Sequence, residues 1–83
     1  MKIKYSAWLG KKVGLEAEEV ALPAHVTNVE TLIDWLSRRG PRFEEAFEFV
    51  EVIKVVVNER YVHNDQPVKD TDEVIFMPPI SGG

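Results

Sequence analysis

One amphipathic helix stands between two strand-rich parts of the chain and limits the folds open to it. In the segment "TNVETLIDWLSRRGP", apolar residues recur at i, i+3, i+4 and i+7, the spacing that places side chains on one helix face. These residues are Val29, Leu32, Ile33 and Leu36. We therefore expect this face to cover a sheet built from the flanking strands.

The residues at both ends of this segment predict where the helix begins and ends. Thr27 and Glu30 have the spacing of a capping box. Arg38–Arg39 would complement the negative C-terminal end of the helix dipole. Gly40 would take a left-handed cap, and Pro41 would stop the helix from continuing.

Strand patterns lie on both sides of the helix. "KIKYSAWL" alternates apolar and polar residues, and "LEAEEVALP" follows it after a turn framed by Gly10 and Gly14, so these two segments predict a hairpin. "VIKVVVN" is rich in β-branched residues, with Ile53, Val55 and Val57 expected to face the core. A short strand at Tyr61–Val62 and a closing strand "EVIFM" complete the set.

This order predicts an α+β fold in one domain, residues 1–83. A single mixed sheet would pack against the main helix and a short second helix in "RFEEAFEFV", where apolar residues again have helical spacing. The chain has 83 residues, enough for one modest core.

Composition excludes several classes of function. The chain has no cysteine, which excludes disulfides and thiolate sites. Its net charge of −4 and the lack of a basic stripe argue against nucleic acid as a partner. No apolar run approaches the roughly 20 residues of a membrane span, and the N-terminus lacks the pattern of a signal peptide. We expect a cytoplasmic protein that binds no membrane.

The remaining candidate groups show no pattern of an active site. His25 and His63 have no Cys, Asp or Glu at metal-ligand spacing, so we expect no metal. There is no G-x-S-x-G elbow and no phosphate-binding loop. Nothing in the described motifs predicts that this chain is itself a catalyst.

The last residues, "MPPISGG", are the exception. Pro78 and Pro79 cannot extend a sheet ladder and favour polyproline geometry, so we expect a flexible tail from about residue 78. The four residues after Pro79 reach at most about 14 Å, which suits a narrow channel on another protein. Ile80 would anchor in an apolar pocket, and Gly82 would let the carboxylate of Gly83 pass a constriction.

The Gly83 carboxylate is a poor electrophile when ionised and needs activation. The simplest route is an acyl-adenylate made from ATP by another enzyme. A nucleophilic sulfur would then displace AMP.

At this point the chain resembles a known family, the small subunit of molybdopterin synthase. "VNERYVHNDQPVKDTDEVIFMPPISGG" shares with that family a V-N after a β-branched strand, a D-x-P turn, a D-x-D-E-V approach to the last strand and a P-P-[VI]-[ST]-G-G end. The opening "KIKYSAWLGKKVG" also fits. The specific motif covers about the last third of the chain.

The resemblance implies a ubiquitin-like β-grasp fold and a role as sulfur carrier. Gly83 would be adenylated by an E1-like enzyme that uses ATP and Mg²⁺, and a sulfur donor would convert it to a thiocarboxylate. The tail, with Pro78, Pro79, Ile80, Ser81 and Gly82 matching the family motif, would dock in the large subunit, with a heterotetramer expected. There the sulfur would pass to cyclic pyranopterin monophosphate and form the dithiolene of molybdopterin. No cofactor would be bound by this chain, and the active site would lie on the large subunit.

One departure concerns the partner surface. The residue before the proline pair is commonly aromatic in that family, and here it is Met77. Val74 and Phe76 face opposite to Ile75 and Met77, so one face would cover the core and the other would form a partner patch. The alternative is that all four belong to the core, because short terminal strands often bury both faces. We name Phe76 and Met77 as the candidates for this surface.

Two alternatives to the molybdopterin role stay open on the sequence. One is a sulfur carrier for thiamine or for tRNA thiolation. The other is a ubiquitin-like modifier that joins Gly83 to lysines of target proteins.

Overall fold

The fold is seen in a computed structural model, which describes residues 1–79. Within this range the sheet has five strands, namely β1 (Lys2–Tyr5), β2 (Ala17–Glu19), β3 (Lys54–Val57), β4 (Arg60–Val62) and β5 (Glu73–Met77). The helices are α1 (Trp8–Val13), α2 (Val29–Ser37), α3 (Pro41–Ala46) and a 3-10 turn (Val50–Val52). The predicted short second helix is α3, and the predicted closing strand is β5.

The strands form one mixed sheet in the order β2-β1-β5-β3-β4. β1 runs parallel to β5, while the pairs β1–β2, β3–β4 and β3–β5 are antiparallel. The last strand along the chain therefore lies in the middle of the sheet. The predicted α+β fold with a single mixed sheet is confirmed.

The apolar face of α2 and one face of the sheet share a single core. All four residues of the predicted stripe are buried, with exposed fractions between 0% and 7%. From the sheet, Ile3, Val55, Val57 and Phe76 belong to the same cluster. The predicted inward face of β3 is also confirmed.

The prediction of a strand through Leu9 followed by a turn is wrong, because Trp8–Val13 forms helix α1. Leu9 and Val13 are both buried, and a spacing of four residues places them on one helix face. Gly10 lies so close to the strand that a Cβ atom there would be 2.8 Å from the backbone oxygen of Tyr5. A glycine at this position allows the helix to lie against β1.

The cap of α2 differs from the prediction by one residue. Asn28, and not Thr27, is the N-cap, and its Oδ1 accepts a hydrogen bond from the backbone N–H of Thr31 at 2.8 Å. In return the backbone N–H of Asn28 donates to Thr31 Oγ1 at 3.0 Å. The helix ends at Ser37 with Arg38 as its C-cap, so Gly40 is not its left-handed cap and instead precedes α3.

The corrected cap predicts different effects for two neighbouring substitutions. Asn28→Ala should lower the free energy of unfolding by about 1 kcal/mol, since it removes the acceptor for an N–H of the first turn. Thr27→Ala is the matched control, because its side chain takes no part in the cap, and it should change stability little. Urea denaturation of both variants measures the difference. Equal losses would contradict the assignment of the cap.

The core predicts a larger effect for a buried residue near the C-terminal end of α2. Leu36 is fully buried, so Leu36→Ala should lower the free energy of unfolding by about 2–5 kcal/mol through loss of burial and creation of a cavity. Arg38→Ala, on the exposed side of the same helix, should cost about 0.5 kcal/mol. Thermal melts of the two variants compare these effects, and an unchanged midpoint for Leu36→Ala would refute the packing described above.

Candidate functional site

The position of the tail is set by the end of β5. Phe76 lies opposite Tyr5 on one side and Val55 on the other. Beyond β1, the backbone N–H of Ser6 still donates to the Phe76 carbonyl at 2.9 Å. The proline pair begins two residues later and has no N–H to continue the ladder. The chain therefore leaves the sheet from between two paired strands.

The structure describes only the first two residues of the predicted tail. Pro78 is half-buried and Pro79 is exposed. The predicted site residues Ile80, Ser81, Gly82 and Gly83 lie outside the described residues. Their roles stay predictions.

The prediction that Phe76 belongs to a partner surface is wrong, because its side chain is fully buried. Its ring stacks with that of Tyr5 at a centroid distance of 6.0 Å and meets the ring of Phe47 edge-on at 5.1 Å. Met77 points to the other face of the sheet together with Ile75, and both are half-buried. Met77 thus lies on the face away from the core, and its role in a partner surface stays a prediction, whereas Phe76 holds β5 in the core.

The outer face of the sheet carries an apolar stripe next to Met77. Ile75 lies opposite Val56 on β3, and Val56 lies opposite Tyr61 on β4. Lys54 lies opposite Met77, and its Nζ is 5.9 Å from the centroid of the Tyr61 ring. Val56 is itself buried, Ile75 and Met77 are half-buried, and Tyr61 is exposed. Tyr61, with the half-buried Ile75 and Met77 beside it, is therefore the part of this stripe that offers apolar area to another protein.

The motif residues ahead of β5 have a structural role. Asn58 Nδ2 donates to Asp72 Oδ1 at 2.8 Å, and the Glu73 N–H donates to Asn58 Oδ1 at 3.0 Å. The Lys69 N–H donates to Asp72 Oδ2 at 2.9 Å. Asp72 is buried and takes hydrogen bonds on both oxygens. These contacts fix the point at which β5 begins, which the sequence had indicated only as turns.

A partly buried polar network near the C-terminal end of β1 was not predicted. Tyr5 donates its O–H to Glu18 Oε2 at 2.6 Å, and Arg39 Nη1 donates to the same oxygen at 2.8 Å. The Arg39 guanidinium also lies 4.7 Å from the centroid of the Phe43 ring and 5.5 Å from that of Trp35. The network joins β1, β2 and the end of α2. One feature of the sequence could have indicated this network. Glu18 lies opposite Ile3 and so on the same face of the sheet, which places a carboxylate next to buried residues.

The network changes the pKa values of its members. Burial alone would raise the pKa of Glu18, but the hydrogen bonds from Arg39 and Tyr5 outweigh it and hold that pKa below its usual value. Burial, followed by the hydrogen bond to Glu18, raises the pKa of the Tyr5 hydroxyl above its ordinary range. The hydrogen bond to Glu18 raises the pKa of Arg39.

The lowered pKa of Glu18 predicts a pH-dependent contribution to stability. The contribution is fully present above the unfolded-state pKa of about 4.3 and is lost as the pH falls through the lower folded-state pKa, when Glu18 takes up a proton. The stability difference between wild type and Glu18→Gln should therefore be constant from pH 7 to pH 6 and shrink towards pH 3. Urea denaturation across this range measures it.

Glu19→Gln provides the control on the same strand. Glu19 is exposed, so this variant should follow the wild type at each pH. A Glu18→Gln difference that does not change with pH would contradict a charged, hydrogen-bonded Glu18 in the folded state.

Other kinds of site find no support in residues 1–79. No three His, Asp or Glu side chains there come together as a metal ion would require. None of the helices described combines the length and the apolar character needed to cross a membrane.

Known proteins share both the sequence and the fold of this chain. A model of the ThiS family matches residues 3–83. The molybdopterin synthase sulfur carrier subunit of Escherichia coli (strain K12) is 35% identical over 83 residues, covering 100% of this chain and 99% of that protein.

Solved structures give the same result. A protein of Pyrococcus furiosus provisionally assigned as molybdopterin converting factor subunit 1 superposes with a TM-score of 0.76 and 31% identity, over 95% of both chains. A complex of subunits 1 and 2 of the molybdopterin-converting factor from Helicobacter pylori matches 99% of this chain and 96% of that chain, with a TM-score of 0.62 and 18% identity, and so supports the fold alone. The chain therefore belongs to the ThiS family and has the ubiquitin-like β-grasp fold that the sequence predicted.

Proposed function

We propose that this protein is a sulfur carrier of molybdenum cofactor biosynthesis. Its Gly83 carboxylate accepts sulfur as a thiocarboxylate and donates it within molybdopterin synthase. One observation carries the proposal: β5 leads directly into Pro78–Pro79, and the family match continues from there through Gly83. The match to the E. coli sulfur carrier subunit over nearly its whole length selects molybdopterin synthesis among the uses of such a carrier.

The chemistry requires two steps before sulfur can be donated. In the first, an oxygen of the Gly83 carboxylate attacks the α-phosphorus of ATP, with Mg²⁺ bound by an E1-like activating enzyme, and pyrophosphate leaves. In the second, a sulfur nucleophile supplied by a donor attacks the acyl carbon, and AMP leaves. Because this chain has no cysteine, no thiol of its own competes for the activated carbonyl.

The partner that uses the thiocarboxylate is the large subunit of the synthase. The Helicobacter pylori complex of subunits 1 and 2 is an assembly of this kind, and the sulfur carrier of E. coli is named as a subunit. The outer sheet face with Ile75 and Met77 is the surface that supports docking, and a heterotetramer is the expected assembly. We expect activation, which consumes ATP, to take place in the cytoplasm.

The first test is the intact mass of the protein after incubation with ATP, Mg²⁺, the activating enzyme and sulfide. The expected result is a gain equal to the mass of sulfur minus that of oxygen, confined to the fragment that contains Gly83. Omission of ATP should abolish the gain. Deletion of Gly83 should also abolish it and leave the melting temperature unchanged, because the described core contains no residue beyond Phe76.

Two outcomes would contradict the proposal. The first is no mass gain with an activating enzyme that modifies a known carrier in parallel. The second is a thiocarboxylate that gives no molybdopterin when mixed with the large subunit and cyclic pyranopterin monophosphate. Gly-Gly remnants on lysines of other proteins would then favour the modifier.

A further inference from the structure

The exposed large apolar side chains of residues 1–79 are distributed unevenly. There are five of them, with exposed fractions between 40% and 68%: Trp8, Leu15, Phe49, Val52 and Tyr61. Tyr61 belongs to the outer sheet face described above. The other four belong to segments at one end of the sheet, and we call these four residues the exit surface.

Two residues of the exit surface follow from β1 and precede β2. Trp8 is three residues beyond Tyr5, the last residue of β1, and so lies within about 11 Å of it. The Tyr5 N–H donates to the Glu16 carbonyl at 2.8 Å, which places Leu15 just beyond the same end of the sheet. Trp8 and Leu15 line one shallow groove, and the charged residues Lys11 and Glu16 line it as well.

The other two residues precede β3 on the opposite side of β5. Val52 is two residues before Lys54, which pairs with Met77 at the end of β5. The Val52 N–H donates to the Phe49 carbonyl at 3.1 Å, so a single tight turn keeps Phe49 close to Val52. The exit surface thus flanks, on both sides, the point where Pro78 leaves the sheet.

The other end of the sheet is polar in its exposed residues. It carries the turn Asn58–Glu59 between β3 and β4 and the segment Asp70–Thr71 before β5, and all four of these residues are exposed. Exposed carboxylates also occur beside the exit surface, at Glu16, Glu48 and Glu51, so the two ends differ in their exposed large apolar side chains and not in charge alone. Such clustering is not expected of scattered surface hydrophobic residues, which need no explanation singly. It coincides with the end from which the tail departs.

We propose that the exit surface is the part of this protein that contacts the rim of the cleft in the large synthase subunit, into which the tail is inserted. This inference rests on the proposed function. The four residues after Pro79 reach at most about 14 Å. A cleft that encloses Gly83 must therefore bring its rim close to the base of the tail, where the exit surface lies.

The chemistry of the rim follows from the residues it meets. Trp, Phe, Leu and Val side chains offer apolar area and few hydrogen-bonding groups, so the parts of the rim that meet these four side chains should be apolar as well. Closure of such a rim also excludes water from the tail, which protects a thiocarboxylate from hydrolysis. Trp is among the residues that most often dominate binding energy at interfaces, so Trp8 should be the strongest single contributor.

The test measures binding of the full-length carrier to the large synthase subunit of the same organism by titration calorimetry. Trp8→Asp and Phe49→Asp should each raise the Kd at least tenfold. Thr71→Asp, which introduces the same charge at the polar end, is the control and should bind within twofold of the wild type. Trp8→Ser and Phe49→Ser should also weaken binding, because they remove apolar contact without adding a charge. These two variants replace the aspartate variants in the test if an aspartate variant fails to fold.

Each alternative outcome is distinguishable. Binding within twofold of the wild type for all of the Trp8 and Phe49 variants would overturn the inference and leave the proposed function standing. The inference would equally be overturned if these variants bound the large subunit normally but were poor substrates for thiocarboxylation, since the surface would then serve the activating enzyme. A wild-type carrier that does not bind the large subunit at all would count against the proposed function itself.

Discussion

The parallel pairing of β1 with β5 is the contact on which the rest of the structure depends. It joins residues near the two ends of the described chain, with Lys2 opposite Glu73 and Tyr5 opposite Phe76. This pairing closes the sheet between the β1–β2 hairpin and the β3–β4 hairpin, and it gives α2 a continuous surface to cover. It also brings Tyr5 and Phe76 together in the core, so the end of β5 is fixed by packing as well as by hydrogen bonds.

Much of the fold could be predicted because several segments carry one dominant pattern. Periodicity predicts the apolar stripe of α2, and the run of β-branched residues predicts β3. The proline pair that follows Met77 predicts where β5 ends. The region around Trp8 could not be predicted in this way, because alternation continues through Leu9 and a glycine at position 10 disfavours a helix. The helix forms there because Leu9 and Val13 reach the core while Gly10 permits close contact with β1, and both reasons are tertiary.

The candidate site was predictable in its chemistry and less so in its geometry. The tail motif indicated an activated carboxylate without any structural information. The orientation of β5 was harder to predict, because both of its faces are apolar. Whether Phe76 or Met77 faces the core depends on which side of the sheet α2 covers. The network of Tyr5, Glu18 and Arg39 depends on contacts between three separate elements, so no local pattern could have revealed it.

The central position of β5 has a mechanical consequence. A force applied to the tail acts along a strand that is paired on both sides, so it loads the hydrogen bonds of two ladders together in shear. A strand at the edge of the sheet would instead be peeled away one bond at a time. A partner that pulls on the tail therefore meets the combined resistance of two ladders, and the sheet can stay intact while the tail is bound and released.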